Sequence, residues 1–172
     1  EVPELYAVYP FRLVSFEKPN AHLGLAALDR RDYRGPISWR QDELFMAHLG
    51  RADEAADYLV QRVRNRGENL IGDERHEMRF PGFWGPGYDW LPDQCHGGMI
   101  TAATQAMLLQ SEGEKIFLLP AWPRHWDVDF KLHAPRRTTV ELTYRDGKIQ
   151  RLKVTPASRR ADLVLPPHHP PL

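Results

Sequence analysis

The chain has 172 residues, 42% of them hydrophobic and 27% charged, and its 23 basic and 23 acidic side chains cancel. That balance lacks the basic excess by which a nucleic-acid binder releases phosphate counterions, and no apolar run approaches the ~20 residues that span a bilayer. A single cysteine, Cys95, excludes an internal disulfide framework and a cysteine-based zinc cluster.

A chain of this length buries roughly 70% of the surface it exposes when unfolded, so one ordinary core is within reach. It opens on Glu1 rather than Met, in what already reads as loop and buried segment. It is therefore expected to be a fragment of a longer protein, whose targeting signal would lie elsewhere.

From Asn20 to Gly113 the apolar spacing is mostly helical, and from Lys115 it becomes strand-like. Asn20 can cap a short helix with Leu23, Ala26 and Ala27 on one face, broken at Asp32 to Pro36. Ser38 and Gln41 form a capping box ahead of a helix carrying Leu44, Phe45, Ala47 and Leu49, which stops at Gly50. Ala55, Leu59 and Val63 mark the stripe of another helix ending near Gly67. Arg62, Arg64 and Arg66 fall off that stripe and read as solvated. The short turn between these two helices requires a helical hairpin.

Residues 72–92 are too rich in Pro and Gly to be regular, yet they hold Phe80, Phe83, Trp84, Tyr88 and Trp90. After Gly97-Gly98 a helix resumes with Met99, Ala102, Ala103, Ala106 and Met107. The rest reads as β: an apolar run Ile116–Leu119, then alternating Val140, Leu142 and Tyr144. Asp146-Gly147 gives a tight turn, and Ile149, Leu152 and Val154 form the returning strand. Residues 163–165 suit one more short strand, before a proline-rich tail at 166–172.

Metal chemistry finds no support in spacing: eight histidines include no His-Glu-x-x-His and no helical pair with a carboxylate. His168 and His169 sit in the tail, and His48 suits a helix C-terminus. Cys95 beside His96 is adjacency in sequence, not the spatial convergence that a thiol nucleophile needs.

Residues 80–98 carry the clearest signal. Sugars offer flat C–H faces ringed by hydroxyls, and are held by aromatic rings with carboxylates, amides and Arg forks at the rim. Trp84, Tyr88 and Trp90 supply the rings, and Asp93 stands just before a helix start that favours an anion. The same residues also fit aromatic wedges fixing a loop to the core, with Asp93 an ordinary N-cap, and the pattern alone leaves both open.

Several segments, in order, resemble the C-terminal part of glycoside hydrolase family 95, the α-L-fucosidase and α-L-galactosidase family. Pro3 to Pro10 is similar to that family's Ser-His-Leu-Tyr-Gly-Leu-Phe-Pro. The Trp39 helix and the turn at Leu49-Gly50-Arg51 are similar to its Gly-Trp-Ser helix and Leu-Gly-Asp turn. Asp93-Gln94-Cys95-His96-Gly97-Gly98, then Met107 to Ser111, resembles Asp-Gly-Asn-Phe-Gly-Gly and Glu-Met-Leu-Leu-Gln-Ser. Leu118 to Pro123 with Trp126 resembles Leu-Leu-Pro-Ala-Leu-Pro and its following Trp. The likeness runs to about Val154.

The resemblance implies a mainly α chain with a β C-terminal domain: the last helices of an (α/α)6 barrel at 1–113, then a small antiparallel β-sandwich at 114–165. It implies inverting, exo-acting hydrolysis of an α-linked terminal sugar, with Asp93 as the base that activates water. The general acid Glu and the Asn residues that assist the base would lie upstream, so the fragment alone is expected to be inactive. Trp84, Tyr88 and Trp90 are expected to shape the sugar pocket, with Glu4 and His96 on its wall and Arg40 in reach or held in a structural salt bridge. Glu4 replaces the family's His, Gln94 its Gly, and Cys95-His96 its Asn-Phe, which marks a divergent subgroup acting on a hexose, deoxyhexose, pentose or uronate. No cofactor is expected. The partners expected are a glycan and the upstream part of the same polypeptide, with no nucleic acid and no membrane insertion, in a secreted or periplasmic setting. The alternatives are a non-catalytic carbohydrate-binding module and a structural remnant.

Overall fold

A computed structural model of the chain describes residues 2–36, 39–64, 70–71, 74–75 and 94–165. It has a helical part followed by a β part.

The helical part opens with a 3-10 turn, Pro3–Leu5, that buries Leu5. Helix α1 is Ala21–Arg30, and its inner face is Gly24 and Leu28. Leu23, expected on that face, is 57% exposed. The face is set by Gly24, where an added Cβ would stand 2.7 Å from Leu49 Cδ2 and 2.8 Å from Val14 Cγ1. The missing side chain lets the backbone press against those residues, which turns Leu23 outward. Nor does the Asn20 side chain cap this helix: its amide nitrogen donates to the Leu13 carbonyl at 3.2 Å, and its Oδ1, the atom that would accept from the first turn, takes no hydrogen bond among the described residues.

Helix α2 is Asp42–His48, and all seven of its residues are buried. It starts at Asp42 with Gln41 as an N-cap that makes no side-chain bond; Ser38 lies outside the described residues. The chain turns at Gly50, in the left-handed conformation (φ 76°), into helix α3, Ala52–Arg64. The expected hairpin is present, but its inner stripe is Ala55, Ala56, Leu59 and Arg62, and Val63 is 44% exposed. Arg62 is therefore not solvated: it shows no exposed surface and meets a carboxylate on α2.

A minimal antiparallel pair, β1 (Leu70–Ile71) and β2 (Glu74–Arg75), precedes helix α4, Gln94–Leu108. Gly97-Gly98 lies within α4 rather than ahead of it. Ile100, Ala103, Ala106 and Met107 pack its inner side into one core with Leu5, Val8, Leu28, Phe45 and Ala55.

Strand begins at once after α4, earlier than the change of pattern at Lys115 suggests. Strand β3 (Leu109–Glu112) pairs antiparallel with β4 (Lys115–Leu118) around Gly113, φ 57°. A second sheet is a meander of β5 (Val128–Ala134), β6 (Thr138–Arg145) and β7 (Lys148–Thr155). The short β8 (Leu163–Val164) lies parallel to β4, where a last strand is expected.

Strand β5 is absent from the elements expected above, although its alternation of Val128, Phe130, Leu132 and Ala134 with exposed Asp129, Lys131 and His133 is regular. The β6–β7 turn is Asp146-Gly147, with φ of 50° and 73°, matching the twist of a two-residue hairpin. A slip in register sets Thr143 opposite Arg151 but Tyr144 opposite Ile149. The extra residue is why Ile149 and Leu152, an odd number apart, both reach the β core with Val140, Leu142 and Tyr144.

Helix and sheet are tied by backbone. The Leu119 N–H donates to the Leu108 carbonyl at 2.8 Å, and that of Ala121 to Met107 at 3.3 Å. Trp122 touches both cores and donates its indole N–H to the Trp126 carbonyl at 2.9 Å.

Candidate functional site

His96, at the start of α4, reaches the carbonyl of Arg62 near the end of α3, whereas Gln110, just past α4, reaches the carbonyl of Ala47 near the end of α2. Helices α2 and α4 therefore run the same way, with α3 against them. One end of the bundle gathers the starts of α2 and α4 and the close of α3.

That end holds a buried ionic frame. Glu43 takes the Arg62 Nε at 2.6 Å and its Nη2 at 3.1 Å. Arg62 Nη2 also donates to the Arg40 carbonyl at 2.7 Å. Asp42 Oδ1 accepts Nε and Nη2 of Arg31 at 2.9 and 2.8 Å, and its Oδ2 lies 3.4 Å from Arg40 Nε. Charges this deeply buried persist only where paired and hydrogen-bonded. The sequence places Asp42 and Glu43 on successive residues, so α2 presents one carboxylate toward Arg31 and Arg40 and the other toward α3.

Above the frame lies a pocket of about 160 Å³ lined by Val2, Tyr6, Trp39, Arg40 and Gln41. Trp39 is 40% exposed, and Gln41 makes no bond to cap α2. Arg40 donates Nη1 to the Arg34 carbonyl at 2.9 Å, while its Nη2 is buried with no hydrogen-bond partner among the described residues.

The expected site residues divide as follows. Arg40 lines this pocket and is also ion-paired to Asp42, the structural salt bridge that was its alternative reading. Glu4 is exposed and is not a lining residue, although its near neighbours Val2 and Tyr6 are. His96 is fully buried, not on an open wall: its Nε2 stands 2.8 Å from the Arg62 carbonyl, which accepts its hydrogen. It steadies the frame beneath the pocket. Asp93, Trp84, Tyr88 and Trp90 lie outside the described residues. Sequence reading did not offer Tyr6, Trp39 or Gln41 as lining residues; for Trp39 and Gln41 the signal was the Trp-Arg-Gln run directly ahead of a helix buried along its whole length.

The opposite end holds a second polar cluster. Arg12 Nη1 donates to His48 Nδ1 at 2.8 Å and to Gln110 Oε1 at 2.5 Å, and its Nη2 donates to Glu17 at 2.9 Å. Burial, and then the Arg12 guanidinium, push the His48 pKa down to about 4. The Tyr9 ring stacks on His48 at 5.5 Å, over a shallow groove.

Among the described residues no group of three or more His, Cys, Asp or Glu could hold a metal ion, and no helix is long and apolar enough to cross a membrane. Comparison with protein-family models and with curated proteins finds no match to this chain.

Proposed function

We propose that this chain is the C-terminal part of an inverting, exo-acting glycoside hydrolase similar to family 95, its helices completing an (α/α)6 barrel and its two sheets forming the trailing sandwich. The observation that supports this reading is the pocket at the α2–α4 end, which pairs an exposed indole with a guanidinium and an amide. Those are the groups that hold a pyranose. Asp93 directly precedes α4 in sequence, the helix whose first turn belongs to that same end.

In this reading Asp93 takes a proton from a water molecule while the water oxygen attacks the anomeric carbon. The glycosidic C–O bond breaks as an acid from upstream in the polypeptide protonates the leaving oxygen, and the anomeric centre inverts. The test is Asp93→Asn in the full polypeptide, assayed on libraries of α-linked glycosides. A fall of ~10²–10⁴ in kcat with KM little changed is expected of a general base, and activity within a few-fold of the parent discards the assignment.

A further inference from the structure

We propose that His96 is a positioning residue: its hydrogen bond to the Arg62 carbonyl sets the start of α4 against the pocket wall, and through it the placing of the base. The inference rests on the glycosidase reading, in which that base is Asp93, and deepens it. His96 stands in the first turn of α4 with no exposed surface. A carbonyl oxygen can only accept, so the imidazole Nε2, 2.8 Å from it, carries the hydrogen. The other buried side chains of α4 are Ile100, Ala103, Ala106, Met107 and Leu108, all apolar. A phenyl ring of similar size would pack there with no polar group to desolvate; the imidazole instead adds a bond of fixed direction.

The acceptor belongs to the residue that also holds the pocket. Arg62 donates Nη2 to the Arg40 carbonyl at 2.7 Å, and Trp39, Arg40 and Gln41 line the pocket in succession. Both oxygens of Glu43 fix the same guanidinium from α2. One residue therefore grips the first turn of α4 with its main chain and the pocket wall with its side chain. The path from wall to helix is short and runs through buried groups, where a hydrogen bond is stronger than in water. The chain enters α4 directly from Asp93, so the placing of that turn reaches Asp93 through a single peptide link. A general base must stand within hydrogen-bond reach of its water, and a misplacement of about 1 Å costs roughly 10²-fold in rate.

The experiment is a double-mutant cycle in the full polypeptide between His96→Phe and Asp93→Asn. It is read as kcat and KM on the α-linked glycoside that the parent cleaves fastest, well below the Tm of every variant. His96→Phe is expected to lower kcat by about 10–10²-fold with KM within about threefold of the parent. In the Asp93→Asn background the same change should cost less than about threefold, since a group acting through the base has nothing left to place. His96→Gln, whose amide nitrogen can reproduce the Nε2 donor, should recover most of kcat. If His96→Phe does not fold, His96→Met takes its place. A loss from His96→Phe as large without the base as with it overturns the inference, and so does a kcat unchanged from the parent or a rise in KM alone. Equal losses in His96→Phe and His96→Gln assign the effect to ring packing and also overturn it. All four of these leave the glycosidase reading standing, provided that Asp93→Asn alone is slow. Asp93→Asn as active as the parent, or a parent that cleaves no glycoside, overturns both.

Discussion

Glu43 and Arg62 face each other across α2 and α3 with essentially no solvent contact, their Nε–Oε1 separation 2.6 Å. The pair is also a junction, since Arg62 holds the Arg40 carbonyl with its side chain and His96 with its own carbonyl. Removing one partner strands the other's charge in a medium that cannot solvate it.

Arg62→Met or Glu43→Leu alone is expected to destabilise the protein by about 3–5 kcal/mol, whereas the double variant Glu43→Leu with Arg62→Met recovers most of that loss. Urea denaturation of the four proteins gives the coupling directly. Single-variant losses below about 1 kcal/mol would mean that the pair is solvated.

His48 makes stability depend on pH in a predictable direction. Its folded pKa of about 4 lies below the ordinary 6.5, so between those values the unfolded chain binds more protons. Its contribution is full above about pH 6.5, falls as the medium is acidified, and is lost near pH 4. The full swing is about 3 kcal/mol. His48→Gln should flatten that part of the stability profile, measured by denaturant titration from pH 7 to 4. A parallel profile in the variant would refute it.

Gly24→Ala sets two effects against each other. Helix propensity favours alanine by about 1 kcal/mol, but the new Cβ would sit under 3 Å from both Leu49 and Val14. Overpacking in a closed core costs about 1–3 kcal/mol, so the net effect is destabilising, and Gly24→Val is worse. A raised Tm in Gly24→Ala would show that the neighbours yield freely.

Gly147→Ala isolates backbone strain. At φ 73° the glycine is left-handed, and an added Cβ would meet only the Arg124 carbonyl oxygen, at an ordinary 3.7 Å. A loss of about 1–2 kcal/mol is expected from conformation alone. Thermal melts compare it with Gly98→Ala, whose Cβ would meet nothing within 4 Å among the described residues and whose φ is not left-handed, so helix propensity favours the alanine.

How far residue patterns reach is clear from particular elements. The α2–α3 hairpin and the Asp146-Gly147 turn were readable because each rests on local signals, a short helix-to-helix turn in one case and a left-handed dipeptide in the other. Arg62 was not, because its partner lies 19 residues back and nothing local distinguishes a buried arginine from a solvated one. The inner face of α1 was misread because a glycine's close approach outweighs a leucine's hydrophobicity, a tertiary effect. Strand β5 is legible in its strict alternation from Val128 to Ala134. At the pocket, Trp39, Arg40 and Gln41 are neighbours in sequence, but Val2 and Tyr6 join them only through folding.

The passage from Leu108 to Leu109 joins a helix to a strand through a single peptide link, with no slack between them. Since Leu119 and Ala121 clamp back onto that same stretch, a rotation of α4 has to carry β3 and β4 along with it.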